Sequence, residues 1–204
     1  MTLRARLFSL FPAAWVLGVL AGLAWWVASP MTWTRGLLLA ALLYLLPVAC
    51  FRLHQLAWPL LEGKTILNAP GYVPWWGAHQ CQVMYTALPA LEATLRLIPG
   101  VYSAWLRLWG SRVGRGVHWT PNIEITDRSL LDVGDDVIFG HRAACYAHVV
   151  QRRGEQLVLY VRRIVIGQGV LIGAGSRLGP GASIDAGVVL PVLSDVGVGR
   201  RVRV

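Results

Sequence analysis

Ile166 to Val202 reads IGQGVL IGAGSR LGPGAS IDAGVV LPVLSD VGVGRR V, and every group of six begins with an aliphatic residue. Ile166, Ile172, Leu178, Ile184, Leu190, Val196 and Val202 hold that register without a miss. Gly167, Gly173, Gly179 and Gly197 follow directly, with Asp185 and Pro191 in the remaining slots. Four places after each of the first five aliphatics comes a small or β-branched residue: Val170, Ser176, Ala182, Val188 and Ser194. A helix repeats every 3.6 residues and a strand every 2, so neither makes a period of six. A coil with three short flat faces does, because each group of six supplies one strand and one corner. The aliphatic fills the interior, the glycine permits the corner, and the small residue fits beside the aliphatic. The pattern predicts a parallel β-helix of hexapeptide type.

The rhythm starts less cleanly upstream. Val113-Gly114, Trp119 and Ile125 are in step, followed by a slip of two residues at Leu131-Asp132. Val133-Gly134, Phe139-Gly140 and Cys145 resume it. Between Val150 and Arg163 it stops: Gln151-Arg152-Arg153-Gly154-Glu155 is a polar turn between two β-prone stretches, so an arm leaves the coil. An insertion on a regular solenoid is a usual place for function.

The whole chain of 204 residues is unlike an average soluble domain: 55% hydrophobic and 14% charged. The net charge of +9 is almost wholly arginine, with Lys64 the only lysine. Nucleic acid, anionic lipid or a phosphorylated ligand would all suit that balance. The apolar excess and the lack of a nucleic-acid motif favour lipid. Cys50, Cys81 and Cys145 are scattered with no paired spacing, which argues against a disulfide framework or zinc site and suits a reducing compartment.

Leu7 to Val27 is an uncharged apolar run long enough to cross a bilayer. A signal peptide competes, but the run is longer than a signal core and the Ala-Ser-Pro after it is a poor cleavage site. Gly36 to Phe51 follows after a short turn at Ser29 to Arg35, and the two predict a transmembrane helical hairpin. Trp25, Trp26, Trp33 and Trp58 suit the headgroup belt. Arg4, Arg6, Arg52 and Lys64 outnumber Arg35 in the turn, which places both ends in the cytoplasm. A hairpin buried in a soluble protein is the competing reading, and it would leave many tryptophans and leucines to cover. Glu62 to Gln82 reads as a loop, and Val83 to Trp109 as interfacial helices broken at Pro89 and Pro99. The bland alternative is that those helices cap one end of the coil, and they could do both. The expected domains are 1–61, 62–112 and 113–204.

Two resemblances follow from these residues. Cys145-Tyr146-Ala147-His148, an excursion, then Val165-Ile166-Gly167-Gln168-Gly169-Val170-Leu171-Ile172-Gly173-Ala174-Gly175-Ser176, resembles the hexapeptide-repeat acyltransferases, over Val113 to Val204. In that family a histidine ends a coil just before a loop. Pro99-Gly100-Val101-Tyr102-Ser103-Ala104-Trp105-Leu106-Arg107-Leu108-Trp109-Gly110, leading into Val113-Gly114-Arg115-Gly116-Val117, is similar to the membrane-embedded C-terminal domains of poly-lysine synthetase-like nonribosomal peptide synthetases. The family resemblance implies a left-handed β-helix, assembled as a homotrimer. It implies a coenzyme A thioester, or a carrier-bound phosphopantetheine, as acyl donor in the groove between neighbouring coils of adjacent subunits. Leu171, Gly173, Ala174, Ser176 and Gly179 occupy the matching coil, with Arg177, Arg200 and Arg201 as candidates for the phosphates. A carrier protein or synthetase modules are the implied partners, with no nucleic acid and no metal.

The chemistry centres on His148. Acyl transfer from a thioester needs a base for the attacking hydroxyl or amine, and imidazole supplies one at physiological pH. Backbone amides at glycine-rich corners can meet the developing oxyanion. The family resemblance implies that His148 is the general base. A surface histidine on a coil edge is the bland reading of the same residue. His141, one unit earlier, is expected to line the same face, and Glu124 and Asp127 are candidates to orient the base. His118, His141 and His148 also invite comparison with gamma-class carbonic anhydrases, whose close histidine pair is missing. A Cys145 nucleophile is disfavoured because that position points into the coil. The chain therefore reads as an acyltransferase in the cell inner membrane, multi-pass, with its β-helix cytoplasmic. A β-helix module that organises a synthetase without chemistry is the alternative, with a gamma-type hydratase third.

Overall fold

The computed structural model describes residues 2–28 and 32–203, so the start of the expected turn, Ser29 to Met31, lies outside the described residues. The chain forms two compact units, Met1–Leu60 with Pro70–Met84 and Leu61–Ala69 with Tyr85–Val204.

In the first unit, α1 (Leu3–Ser9) and α2 (Phe11–Val27) make one apolar helical run, Leu3–Val27. It is long and apolar enough to cross a membrane. Pro12 sits in the first turn of α2, where its missing N–H costs nothing. A second run, α3 (Trp33–Tyr44) and α4 (Leu46–Ala57), bends by 42° at the break before Pro47. Gly22 lets Leu39 and Leu42 of α3 approach α2, and Trp15 Nε1 donates to Leu42 O at 2.9 Å. Arg35 lies 4.7 Å from the Trp25 ring, and Arg4 lies 5.4 Å from the Trp58 ring. These contacts fix an antiparallel hairpin whose outer leucines, among them Leu17, Leu20, Leu37 and Leu38, are exposed. A short helix, α5 (Pro74–Gln80), joins it: Trp76 Nε1 reaches Ser9 Oγ, and Tyr72 OH meets His54 Nε2 at 2.7 Å.

In the second unit the chain visits three parallel sheets in rotation. The first face stacks Arg112–Val113, Leu131–Val133, Ile164–Ile166, Ser183–Ile184 and Arg201–Val202. The second stacks His118–Trp119, Ile138–Phe139, Leu171–Ile172 and Val189–Leu190. The third stacks Glu124–Ile125, Ala144–Cys145, Arg177–Leu178 and Asp195–Val196. Register follows the six-residue pattern: Val133, Ile166 and Ile184 are Cα partners on one face, and Cys145, Leu178 and Val196 on another. Ile166, Ile172, Leu178 and Ile184 are at most 2% exposed. Each burial contributes roughly 1.5–3 kcal/mol.

The glycine after each aliphatic has a different task from the expected one. A Cβ on Gly140 would come 2.5 Å from Ala174 N of the next winding, so this position needs glycine for close stacking of corners. The left-handed backbone angle falls two residues later, as at Gly175 with φ 70°. Asn122, Asp136, Arg142 and Leu193 take that angle at other corners without being glycine.

Each winding donates its amides to the carbonyls of the next, as in Gly114 N to Val133 O and Gly134 N to Ile166 O. The first winding therefore has carbonyls with no earlier winding to serve them. Helices α6 (Val83–Ala87), α7 (Ala90–Arg96) and α8 (Val101–Trp109) precede it. Arg107 of α8 donates to Val113 O and Gly114 O, both at 2.8 Å, and Arg96 of α7 donates to Ile123 O at 3.1 Å. Tyr102 packs edge-on to Trp119, which stacks on Phe139 with centroids 4.5 Å apart. Helices α7 and α8 thus close the open end of the stack, the second of the two roles read for this segment. Gly100 and Gly110 bound α8 in left-handed conformations.

The stretch read as a loop from Glu62 to Gln82 contains a strand, Gly63–Ile66, as well as α5. That strand pairs antiparallel with Gln156–Val161, which pairs with His148–Arg153, so the arm is a three-stranded sheet.

Candidate functional site

The slip at Leu131-Asp132 makes a corner of five residues, 126–130, after the third face. It holds Asp127, which is 2% exposed, and Arg128, which is fully buried. One winding on, the same corner opens into the arm, and His148 begins its first strand opposite Val161. His148 Nδ1 lies 2.7 Å from Asp127 Oδ2, and Thr126 Oγ1 donates to that same oxygen at 2.8 Å. A buried carboxylate facing Nδ1 keeps a proton there, so Nε2 is the basic nitrogen and the ring cannot turn. The His148 side chain remains 18% exposed. An oriented, partly accessible imidazole backed by a carboxylate is equipped to accept a proton from a hydroxyl or amine and return it to a leaving group.

The corner itself is pinned from below. Glu92 Oε1 accepts from Arg128 Nε at 2.6 Å, and Glu92 Oε2 accepts from Arg96 at 3.1 Å. Tyr102 OH donates to Glu92, and Ser111 Oγ donates to Arg128 O at 2.7 Å. Leu131 N donates back to Ser111 Oγ. Asp127 is therefore held on a corner whose neighbouring guanidinium cannot move without breaking a buried ion pair. Sequence reasoning gave none of these pinning residues a part in the site. Arg128 and Ser111 were missed, and the one signal for them was the slip itself.

The other candidates divide. Glu124 does not face His148: its Oε2 accepts from Tyr146 OH at 2.9 Å, and burial, with Glu124 next, pushes the Tyr146 phenol up to about 12. His141 is exposed at the corner after the second face, beside Arg142, not on the corner of His148. The two share no face because the third face runs between them. His118 stands on the second face, so the three histidines weighed for a metal occupy three different places.

Among the donor candidates, Gly179 and Arg200 lie on the His148 corner in later windings. Gly173, Ala174 and Ser176 lie instead on the corner of His141, whose carbonyl accepts from Gly175 N at 2.8 Å. Ser176 is fully buried and spends its hydroxyl inside the coil, donating to Pro191 O and accepting from Ser194 N. It therefore packs the winding and has no hydroxyl to offer a ligand. Leu171 is exposed on the second face. Arg177 pairs with Asp195 at 2.7 Å, and Arg201 holds Asp185 with two hydrogen bonds. Each salt bridge joins adjacent windings, which makes these two arginines poorer phosphate ligands than Arg200.

Cys145 is buried, and burial pushes its thiol up to about 12, as it does for Cys81. A raised value keeps both thiols protonated at pH 8. Iodoacetamide at pH 8 is expected to leave Cys81 and Cys145 unmodified in the folded protein and to alkylate both after denaturation. Rapid modification of native Cys145 would contradict its place in the interior.

No known family model matches the chain, and no curated protein matches it. Among solved structures it is similar to a hexapeptide-repeat-containing acetyltransferase from Vibrio cholerae, with 17% identity, 58% of this chain and 86% of that one covered, and a TM-score of 0.40. A maltose O-acetyltransferase from Clostridium difficile is similar at 16% identity, covering 57% and 79%, with a TM-score of 0.30. A galactoside acetyltransferase solved in complex with coenzyme A is similar at 15% identity, covering 59% and 76%, with a TM-score of 0.35.

Proposed function

We propose that this chain is a membrane-anchored acyltransferase that moves an acyl group from a coenzyme A or pantetheine thioester to a hydroxyl or amine of a membrane-associated acceptor. The observation that carries this reading is the His148–Asp127 pair at the root of an arm, on an otherwise regular stack of windings. Nε2 of His148 takes the acceptor proton as the oxygen or nitrogen attacks the thioester carbonyl. The tetrahedral intermediate then collapses, the carbon–sulfur bond breaks, and the imidazolium returns its proton to the thiolate. Asp127 holds the ring and balances its charge between those two steps.

The stack is taken as a left-handed β-helix that assembles as a homotrimer, with the donor lying between subunits. That placement lets Gly173 and Ala174 of one subunit and His148 of its neighbour serve one ligand. Coenzyme A and a carrier-bound arm are both accommodated, the second because of the synthetase-like run from Pro99 to Val117. A photo-reactive thioether analogue of acetyl-coenzyme A, which cannot transfer its acyl group, tests the site. The expected crosslinks fall on the arm and on residues 173–181. Crosslinks confined to other surfaces, or no saturable labelling at millimolar analogue, would defeat the reading and favour a non-catalytic scaffold.

The hairpin is placed in the inner membrane as two spans, with both ends and the β-unit cytoplasmic. In a background with the native cysteines replaced by alanine, Thr34→Cys and Glu155→Cys are both exposed positions. An impermeant maleimide is expected to label them from opposite sides of the membrane. Labelling of both from one side would refute the two-span topology.

A further inference from the structure

A second site lies at the closed end of the stack, away from the His148 corner, and it does not depend on the acyl-transfer reading. A cavity of about 560 Å³ opens between the α7–α8 turn and the first winding. That is the size range of pockets for small organic ligands. Four of its lining residues are Arg96, Arg107, Arg115 and His118, and no carboxylate lines it. Arg107 donates to the carbonyls of Val113 and Gly114, as described above. The carboxylates behind this wall are Glu92, shared between Arg96 and the buried Arg128, Asp135, which accepts from Arg115 N, and Asp136 beside Gly116; by formal charge, Arg96, Arg107, Arg115 and Arg128 against these three acids keep the cluster net positive. The Arg96 side chain is only 4% exposed, and its buried Nε has no hydrogen-bond partner among the described residues. Tyr102 and Trp119 supply an aromatic floor.

The rim is of the opposite character. Ile98 lines the mouth and is 59% exposed, and Leu97 beside it is 80% exposed. A cationic, aromatic pocket under an apolar lip matches a ligand with an anionic head and a hydrocarbon tail.

We propose that this cavity binds the phosphate headgroup of an anionic lipid, with the phosphate against Arg96, Arg115 and His118 and the acyl chains over Leu97 and Ile98. Guanidinium–phosphate contacts are charge-assisted and directional, so the pocket discriminates by charge and not by chain length. Arg115 and His118 are exposed and make no side-chain hydrogen bond among the described residues, so replacing them is expected to leave the stack intact.

The test uses the full chain in zwitterionic nanodiscs, with short-chain phosphatidic acid, phosphatidylcholine of the same chains and glycerol phosphate as probes. Wild type is expected to bind phosphatidic acid at least about ten-fold more tightly than phosphatidylcholine, a difference one charge-assisted contact can supply. Arg115→Glu with His118→Glu should abolish that preference. Ile98→Ser, which removes the apolar lip without adding charge, should weaken phosphatidic acid and leave glycerol phosphate unchanged. Equal binding of the two lipids, or an undiminished preference in the double variant, overturns the site. Glycerol phosphate bound as tightly as phosphatidic acid, with no effect of Ile98→Ser, overturns the lipid assignment and makes the ligand a soluble phosphate.

Discussion

Glu92→Gln is expected to cost about 3–5 kcal/mol of folding stability, the usual penalty for removing one partner of a buried ion pair. The argument rests on exposure: Glu92 and Arg128 side chains are 3% and 1% exposed, and the Arg96 side chain is 4% exposed. Arginine keeps its charge at any workable pH, so glutamine leaves two buried guanidiniums facing a neutral amide. A loss of that size is a large share of a typical domain's stability. Thermal unfolding in detergent should show a fall on the order of 10 °C. The same change loosens Arg128 and so the corner that carries Asp127, and activity should fall with it. A Glu92→Gln protein that melts within a degree or two of wild type would show that the cluster does not anchor the corner.

Asp127→Asn and His148→Ala should each lower turnover by on the order of a hundred-fold or more, the share of a positioned general base. Asparagine keeps the shape of the carboxylate but can present an N–H to Nδ1, which favours the wrong tautomer and neutralises the charge that steadies the imidazolium. The two residues act as a unit, so the double variant should cost little more than His148→Ala alone. His141→Ala, at a different corner, should cost far less. Multiplicative losses in the double variant would mean that the 2.7 Å contact is structural and that the residues serve separate purposes.

Ile166 to Val202 was legible because a six-residue period fits no common element, and pairings such as Ile172 with Leu190 follow it directly. The slip at Leu131-Asp132 was visible, yet its contents were not, since inserted residues carry no period. That is why Asp127 stood among several possible partners of His148. Whether it faces the imidazole depends on how a five-residue corner stacks under the arm.

Gly63–Ile66 was missed for a different reason. Only four residues long, it is a strand because Gln156–Val161 offers an edge far along the chain. Nothing in the helical stretch from Val83 to Trp109 marks Glu92 as buried, and only the facing Arg128 makes it a core residue. Arg177 and Arg201 could have been read better. Asp195 lies eighteen residues after Arg177, one full winding on, and their pairing was written in the repeat.

The most direct test of the central claim is transfer from an acyl-labelled coenzyme A thioester by the purified full chain, with a membrane extract as acceptor source. Free thiol release and label in the acceptor fraction are measured together for wild type and His148→Ala, with the variant's fold checked by circular dichroism and melting temperature. Matched thiol release and acceptor labelling by wild type, reduced by on the order of a hundred-fold in a folded His148→Ala protein, is the predicted result. Full transfer by the folded His148→Ala protein would contradict it.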